Sequence, residues 1–222
     1  MCGISGAMAL RPSAELSALV ESMASRLHHR GPDDRGLWTA PSRDLVLGHN
    51  RLAVVDLSPA GHQPMTSHSG RFTIVFNGEI YNHKELRNQG RAYPFRGHSD
   101  TEVILAGLER HGLLPTLKSL VGMFALAIYD REDDSLSLAR DRAGEKPLYY
   151  CLQPDRFLFA SELQALALPS RTISRAALFH YLRNGYVPAP LSILNGAQKA
   201  LPGHCLILRR EAQTITPRTV QY

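Results

Sequence analysis

Between residues 123 and 161 the sequence lays down four short apolar strands, MFALAIYD, SLSLARD, PLYYCL and RFLFAS, separated by tight polar turns. Connections this short join antiparallel neighbours, because a parallel return needs a crossover of about a dozen residues or more. The strands are nearly continuous in apolar residues, the pattern of strands covered on both faces. Further strand patterns stand at 3–9, at RFTIVF (71–76) and at GHCLILRR (203–210). Residues 44–57 read as two strand segments joined near Gly48, and SPAGHQPM (58–65) reads as a loop.

Helical spacing is clearest over 13–29, where Leu16, Leu19, Val20, Met23 and Leu27 share a face. Two more helices carry start and stop signals: 82–90, with Asn82 and Glu85 spaced as a capping pair and Gly90 at the end, and 99–112, with Ser99, Glu102 and Gly112 in the same roles. Others are predicted near 161–168 and 174–183. Helices at both ends with strand meanders between them predict a layered α+β fold, two stacked antiparallel sheets with helices outside.

The chain has 222 residues, enough for one large domain or two small ones, with a substantial core. Its net charge of +5 comes from arginines scattered singly or in pairs, which is not a nucleic-acid footprint. Cys2, Cys151 and Cys205 are odd in number and widely spaced, with no CxxC pair. Neither a zinc site nor a disulfide framework is indicated, and reduced thiols in the cytoplasm fit best. The N-terminus lacks the features of a signal peptide, and no run approaches the ~18 apolar residues of a membrane span.

Cys2 directly follows Met1. One reading is a small buried residue in the first strand. The other is a nucleophile: removal of Met1 leaves a residue carrying both a thiol and a free α-amine. Such an amine titrates at roughly 7.7–8.0 and can take the thiol proton without a histidine. Attack on an amide makes a tetrahedral oxyanion that needs donors fixed in advance. Asn77 and Gly78 in FNGEIYN offer a side-chain amide and an unobstructed backbone N–H; a helix follows them, which argues for a specialised loop at the strand end over a hairpin turn. Asp100 is accounted for by the first turn of its helix, or by a cationic ligand group. Arg51 suits a strand edge, or a carboxylate clamp. His28 and His29 read as structural or solvent-facing.

Met1-Cys2-Gly3-Ile4, HRGPDDRG (29–36), RLAVVDLS (51–58), NGEIYN (77–82), SDTEVI (99–104), ARDRAGEKPLYY (139–150) and ASEL (160–163) together resemble the class II glutamine amidotransferase domain, over roughly residues 2–205. NGEIYN, EKPLYY and ASEL are most similar to the glutamine-hydrolysing asparagine synthetase branch. The resemblance implies a four-layer αββα N-terminal-nucleophile sandwich. It implies that Cys2 attacks glutamine, with its α-amine as base and then acid, and that Asn77 and Gly78 form the oxyanion hole. Arg51 would hold the α-carboxylate and Asp100 the α-ammonium, with Glu79, Leu52 and Val55 lining the pocket and Arg30 at its mouth. Ala143 stands where the family has a larger apolar residue.

The domain is expected over 1–210, with 211–222 a linker toward an absent C-terminal synthetase that uses Mg-ATP. No cofactor or metal is expected in the domain itself. The acceptor carboxylate is aspartate by default, or a sugar acid or other carboxylate. Another amide hydrolase of the same nucleophile type, and a non-catalytic glutamine-binding module, remain as alternatives, and the oligomeric state, homodimer included, is open.

Overall fold

The computed structural model describes residues 1–90 and 93–222. The chain runs β1 (Gly3–Ala9), α1 (Glu15–Ser25), β2 (Asp34–Thr39), β3 (Leu45–Arg51), β4 (Met65–Thr66), β5 (Phe72–Ile80), α2 (His83–Gln89), α3 (Asp100–His111), α4 (Leu113–Ser119), β6 (Gly122–Asp130), β7 (Ser135–Arg140), β8 (Tyr149–Leu152), β9 (Arg156–Ala160), α5 (Arg175–Asn184), β10 (Gln198–Lys199), β11 (His204–Glu211) and β12 (Thr214–Gln221).

Two six-stranded sheets result, with orders β10-β8-β9-β1-β3-β2 (sheet A) and β12-β11-β7-β6-β5-β4 (sheet B). Side chains alternate across each strand, so an all-apolar strand feeds two cores at once. In β1, Ile4 and Met8 face sheet B, meeting Val75, Ala125, Ala127 and Leu138. Ala7 and Ala9 face the other way, against Leu16, Val20 and Met23 of α1. On the far side of sheet B, Ile104, Leu105 and Leu108 of α3 and Leu117 of α4 cover Ile74, Phe76 and Leu126. The layers are therefore helix, sheet A, sheet B, helices, the αββα sandwich the sequence predicts.

Several local expectations change. β3 is one unbroken strand through Gly48, where a Cβ would lie 2.8 Å from Ser5 Oγ; the glycine lets β1 and β3 approach, and does not divide the strand. Residues 52–57 leave the sheet as a loop. β5 runs on through Asn77 and Gly78 to Ile80, paired with β6 throughout, so these residues lie inside a strand and not in a loop beyond it. Asn82 does not cap α2; its side chain bonds Ser119 O and Val121 N instead. Ser99 does cap α3, accepting from Glu102 N. The helix predicted near 161–168 is only a 3-10 turn, Leu163–Ala165, ended by an extended Leu166. The 211–222 stretch, expected as a linker, pairs with β11 from Glu211↔Thr214 to His204↔Gln221, and Ile215 is buried in the core between the sheets.

Candidate active site

Gly3 opposes Asn50, which puts Cys2 beside the end of β3, where Arg51 closes the strand and Leu52 leaves the sheet. Leu52 brackets the thiol: its N–H donates to Cys2 Sγ at 3.4 Å, and the thiol donates to Leu52 O at 3.6 Å. Burial pushes the Cys2 thiol above its ordinary value, against the Leu52 N–H, the N-terminal charge and Arg51. It rests as a thiol and needs a base to become a nucleophile. With Met1 in place the Cys2 nitrogen is a peptide nitrogen. Arg30 donates from Nε to Cys2 O at 2.9 Å and from Nη1 to Glu162 Oε1 at 2.8 Å. It secures the cysteine backbone from behind and does not stand among the residues of the pocket mouth.

The edge of β5 is the second half of the site. β4 ends opposite Ile74, leaving the following N–H groups of β5 without a strand partner on that side. Phe76 N–H goes to Gln63 Oε1 at 2.7 Å, and Ile80 N–H goes to Asp100 Oδ2 at 3.0 Å. Backbone N–H groups two residues apart point to the same edge. The Gly78 N–H between them therefore faces away from β6, toward the cavity. The glycine itself is demanded from behind, since a Cβ at 78 would lie 2.2 Å from Met123 O. Asn77 shares the face of Val75 toward sheet A, and its Nδ2 is buried with no hydrogen-bond partner among the described residues. A buried donor without a partner is costly unless a ligand completes it.

Arg51 and Asp56 build the loop across the site. Arg51 donates to Ser58 O at 3.0 Å and to Asp56 O. The Asp56 carboxylate accepts from Ser58 Oγ, Ser58 N and His98 N, at 2.6, 2.8 and 2.7 Å. The Ser58 hydroxyl and the His98 N–H hold its pKa down to about 2. Burial raises the pKa of the Asp100 carboxyl above the ordinary aspartate value, against the Ile80 N–H.

Cys2, Arg51, Leu52, Val55, Asn77, Gly78, Glu79 and Asp100 all line a single cavity of about 230 Å³. A cationic side chain, an anionic one, a thiol and two free N–H donors can together take a zwitterionic amino acid with an amide on its side chain. Gln63, Thr101 and Lys146 line it too and were not anticipated. Gln63 sat in a stretch read only as loop, and Lys146 lay in a matched motif without a role of its own. Among the described residues no cluster of three or more His, Cys, Asp or Glu could hold a metal ion. No described helix is long and apolar enough to cross a membrane.

Stacked antiparallel sheets between helices, with a cysteine heading the first strand, define an N-terminal-nucleophile fold. A solved structure titled glutamine phosphoribosylpyrophosphate amidotransferase from B. subtilis, complexed with ADP and GMP, shares that fold at a TM-score of 0.70 and 19% identity, over 98% of this chain and 49% of its own. The family model described as the glutamine amidotransferase domain matches residues 1–220. Asparagine synthetase [glutamine-hydrolyzing] 1 of Bacillus subtilis is 36% identical over 216 residues, 94% of this chain and 34% of its own length. Asparagine synthetase B [glutamine-hydrolyzing] of Escherichia coli is 39% identical over 185 residues, 82% of this chain and 33% of its own. The chain belongs to the class II glutamine amidotransferase family and spans about a third of the length of these curated relatives.

Proposed function

We propose that this domain hydrolyses the side-chain amide of glutamine to glutamate and ammonia, and that the ammonia serves a synthetase region of the kind that fills the rest of its relatives. The observation that carries this reading is the convergence of the Cys2 thiol, the unpartnered Asn77 Nδ2, the Gly78 N–H and the Arg51 and Asp100 charges on one cavity.

After Met1 is removed, the free α-amine of Cys2 takes the thiol proton. The sulfur attacks the amide carbon of glutamine and forms a C–S bond. Negative charge moves to the oxygen, where Asn77 Nδ2 and Gly78 N–H receive it. The intermediate collapses, the C–N bond breaks, and the protonated α-amine gives its proton to the departing ammonia. Water then attacks the glutamyl thioester, the α-amine takes its proton, and the thiol is restored as glutamate leaves. Arg51 holds the α-carboxylate and Asp100 the α-ammonium throughout, while Glu79, Leu52 and Val55 close the sides.

The chain's likeness to asparagine synthetases supports aspartate as acceptor and asparagine as product. Activation of that carboxylate by Mg-ATP would belong to the synthetase region, and the thioester route consumes only water. Three unpaired cysteines fit a cytoplasmic location.

A chloroketone analogue of glutamine tests the reading, because the thiolate displaces chloride only if the analogue sits in this site. A single adduct on the Cys2 peptide, prevented by excess glutamine and not by excess aspartate, is the expected result. Labelling of Cys151 or Cys205 instead would overturn it.

A further inference from the structure

The β4 ladder stops where a chemical substitute takes over. Met65 pairs with Ile74, so the antiparallel register would bring residue 63 opposite Phe76. The Gln63 side chain does the strand's work: its Oε1 accepts from Phe76 N–H at 2.7 Å. The other end of the same carboxamide donates from Nε2 to Thr101 Oγ1 at 3.2 Å, on the helix turn next to Asp100. Asp100 in turn accepts from Ile80 N–H at 3.0 Å. The contacts form a closed ring, from Phe76 through Gln63, Thr101 and Asp100 to Ile80 and back along β5. The open Gly78 N–H is at its centre.

The ring is anchored on both sides. His49, fully buried on β3, donates from Nε2 to Phe76 O at 3.1 Å, holding the second polar atom of the same residue. The Gln63 backbone is pressed against β2: a Cβ on Gly36 would lie 2.0 Å from Gln63 O. The backbone that carries the carboxamide therefore cannot shift toward β2 without moving the edge of sheet A.

We propose that Gln63 is a positioning residue for amide hydrolysis, whose single carboxamide sets the distance between the Gly78 oxyanion donor and the Asp100 carboxylate. The inference rests on the glutaminase reading for its catalytic meaning, but the ring itself does not. Glutamine must present its α-ammonium and its side-chain carbonyl at a fixed separation, and this ring ties both receptors to one side chain.

Two variants test it, Gln63→Met, which keeps volume and removes both hydrogen bonds, and Thr101→Val, which removes only the link to α3. Hydrogen exchange reads the ring without any catalysis. In Gln63→Met the Phe76 and Ile80 amides should exchange at least ~10-fold faster, while those of β6 and β7 are unchanged. Kinetics reads its purpose. Gln63→Met should lower kcat by ~10–100-fold, less than outright removal of an oxyanion donor, and raise KM. Thr101→Val should raise KM with kcat within about twofold. Unchanged exchange at Phe76 and Ile80, or rates that fall only with the folded fraction, would overturn the proposal. Should Gln63→Met fail to fold, Thr101→Val decides it by the same KM–kcat split. Absence of Cys2-dependent glutamate release from the parent protein would instead sink the glutaminase reading, with exchange still deciding the ring.

Discussion

Asp100 Oδ2 accepts the Ile80 N–H at 3.0 Å, two residues past Gly78, so the carboxylate that faces the cavity also fastens the strand carrying the open Gly78 N–H. Burial raises its pKa. In the proposed function the charged form binds the substrate ammonium, so kcat/KM should fall on acidification at a pH above the ordinary aspartate range near ~3.9. Asp100→Asn retains an oxygen for Ile80 but loses the charge. It should raise KM for glutamine by ~30-fold or more with little change in melting temperature, as initial rates against glutamine concentration would show.

Arg51 is expected to resist conservative replacement. Its guanidinium reaches Ser58 O and Asp56 O at once while facing the cavity. A lysine keeps the charge but not the fork. Arg51→Lys should raise KM at least ~10-fold and should loosen residues 52–58, which limited proteolysis would detect as a new cleavage in that loop.

Gly78→Ala should be far more damaging than an exposed glycine replacement. The added carbon would stand 2.2 Å from Met123 O and 2.7 Å from Phe124 Cα, both backbone atoms of β6. The strands must part, at a cost of about 1–3 kcal/mol or more. Urea unfolding should show that loss, and the folded fraction should turn over glutamine poorly because the Gly78 N–H is displaced.

His49 gives the fold a measurable pH dependence. Complete burial lowers its value from 6.5 to about 4. The folded state keeps the ring neutral while the unfolded chain binds a proton below about 6.5. Stability from this residue is therefore fully present above about 6.5 and is lost as pH falls toward 4, by about 3 kcal/mol in all. His49→Gln, which can still donate to Phe76 O, should flatten that part of the profile in urea midpoints taken at pH 7 and 4.5.

Residues whose chemistry is local to a motif were legible. Cys2 is marked by its place after Met1, and Asn77, Gly78, Arg51 and Asp100 by short motifs whose order matches a family. The αββα layering followed from apolar strands with tight turns. What was not legible depended on chain segments far apart. Gln63 sits in a loop-like stretch, and its role exists only because β4 stops short of Phe76 and α3 brings Thr101 within reach. Arg30 was expected at the pocket mouth, but Glu162 on the far side of β1 draws it behind Cys2. The β12 strand reads as a polar tail because it is an edge strand with a single buried residue, Ile215, facing the core.

The most direct measurement is glutamate release from glutamine by protein whose intact mass is known, with Cys2→Ala beside it. Protein that has lost Met1 should release glutamate, protein that retains it should not, and Cys2→Ala should reduce the rate to background. Undiminished release from protein that still carries Met1, or none from protein shown to begin at Cys2, would contradict the account of an N-terminal cysteine acting through its own amine.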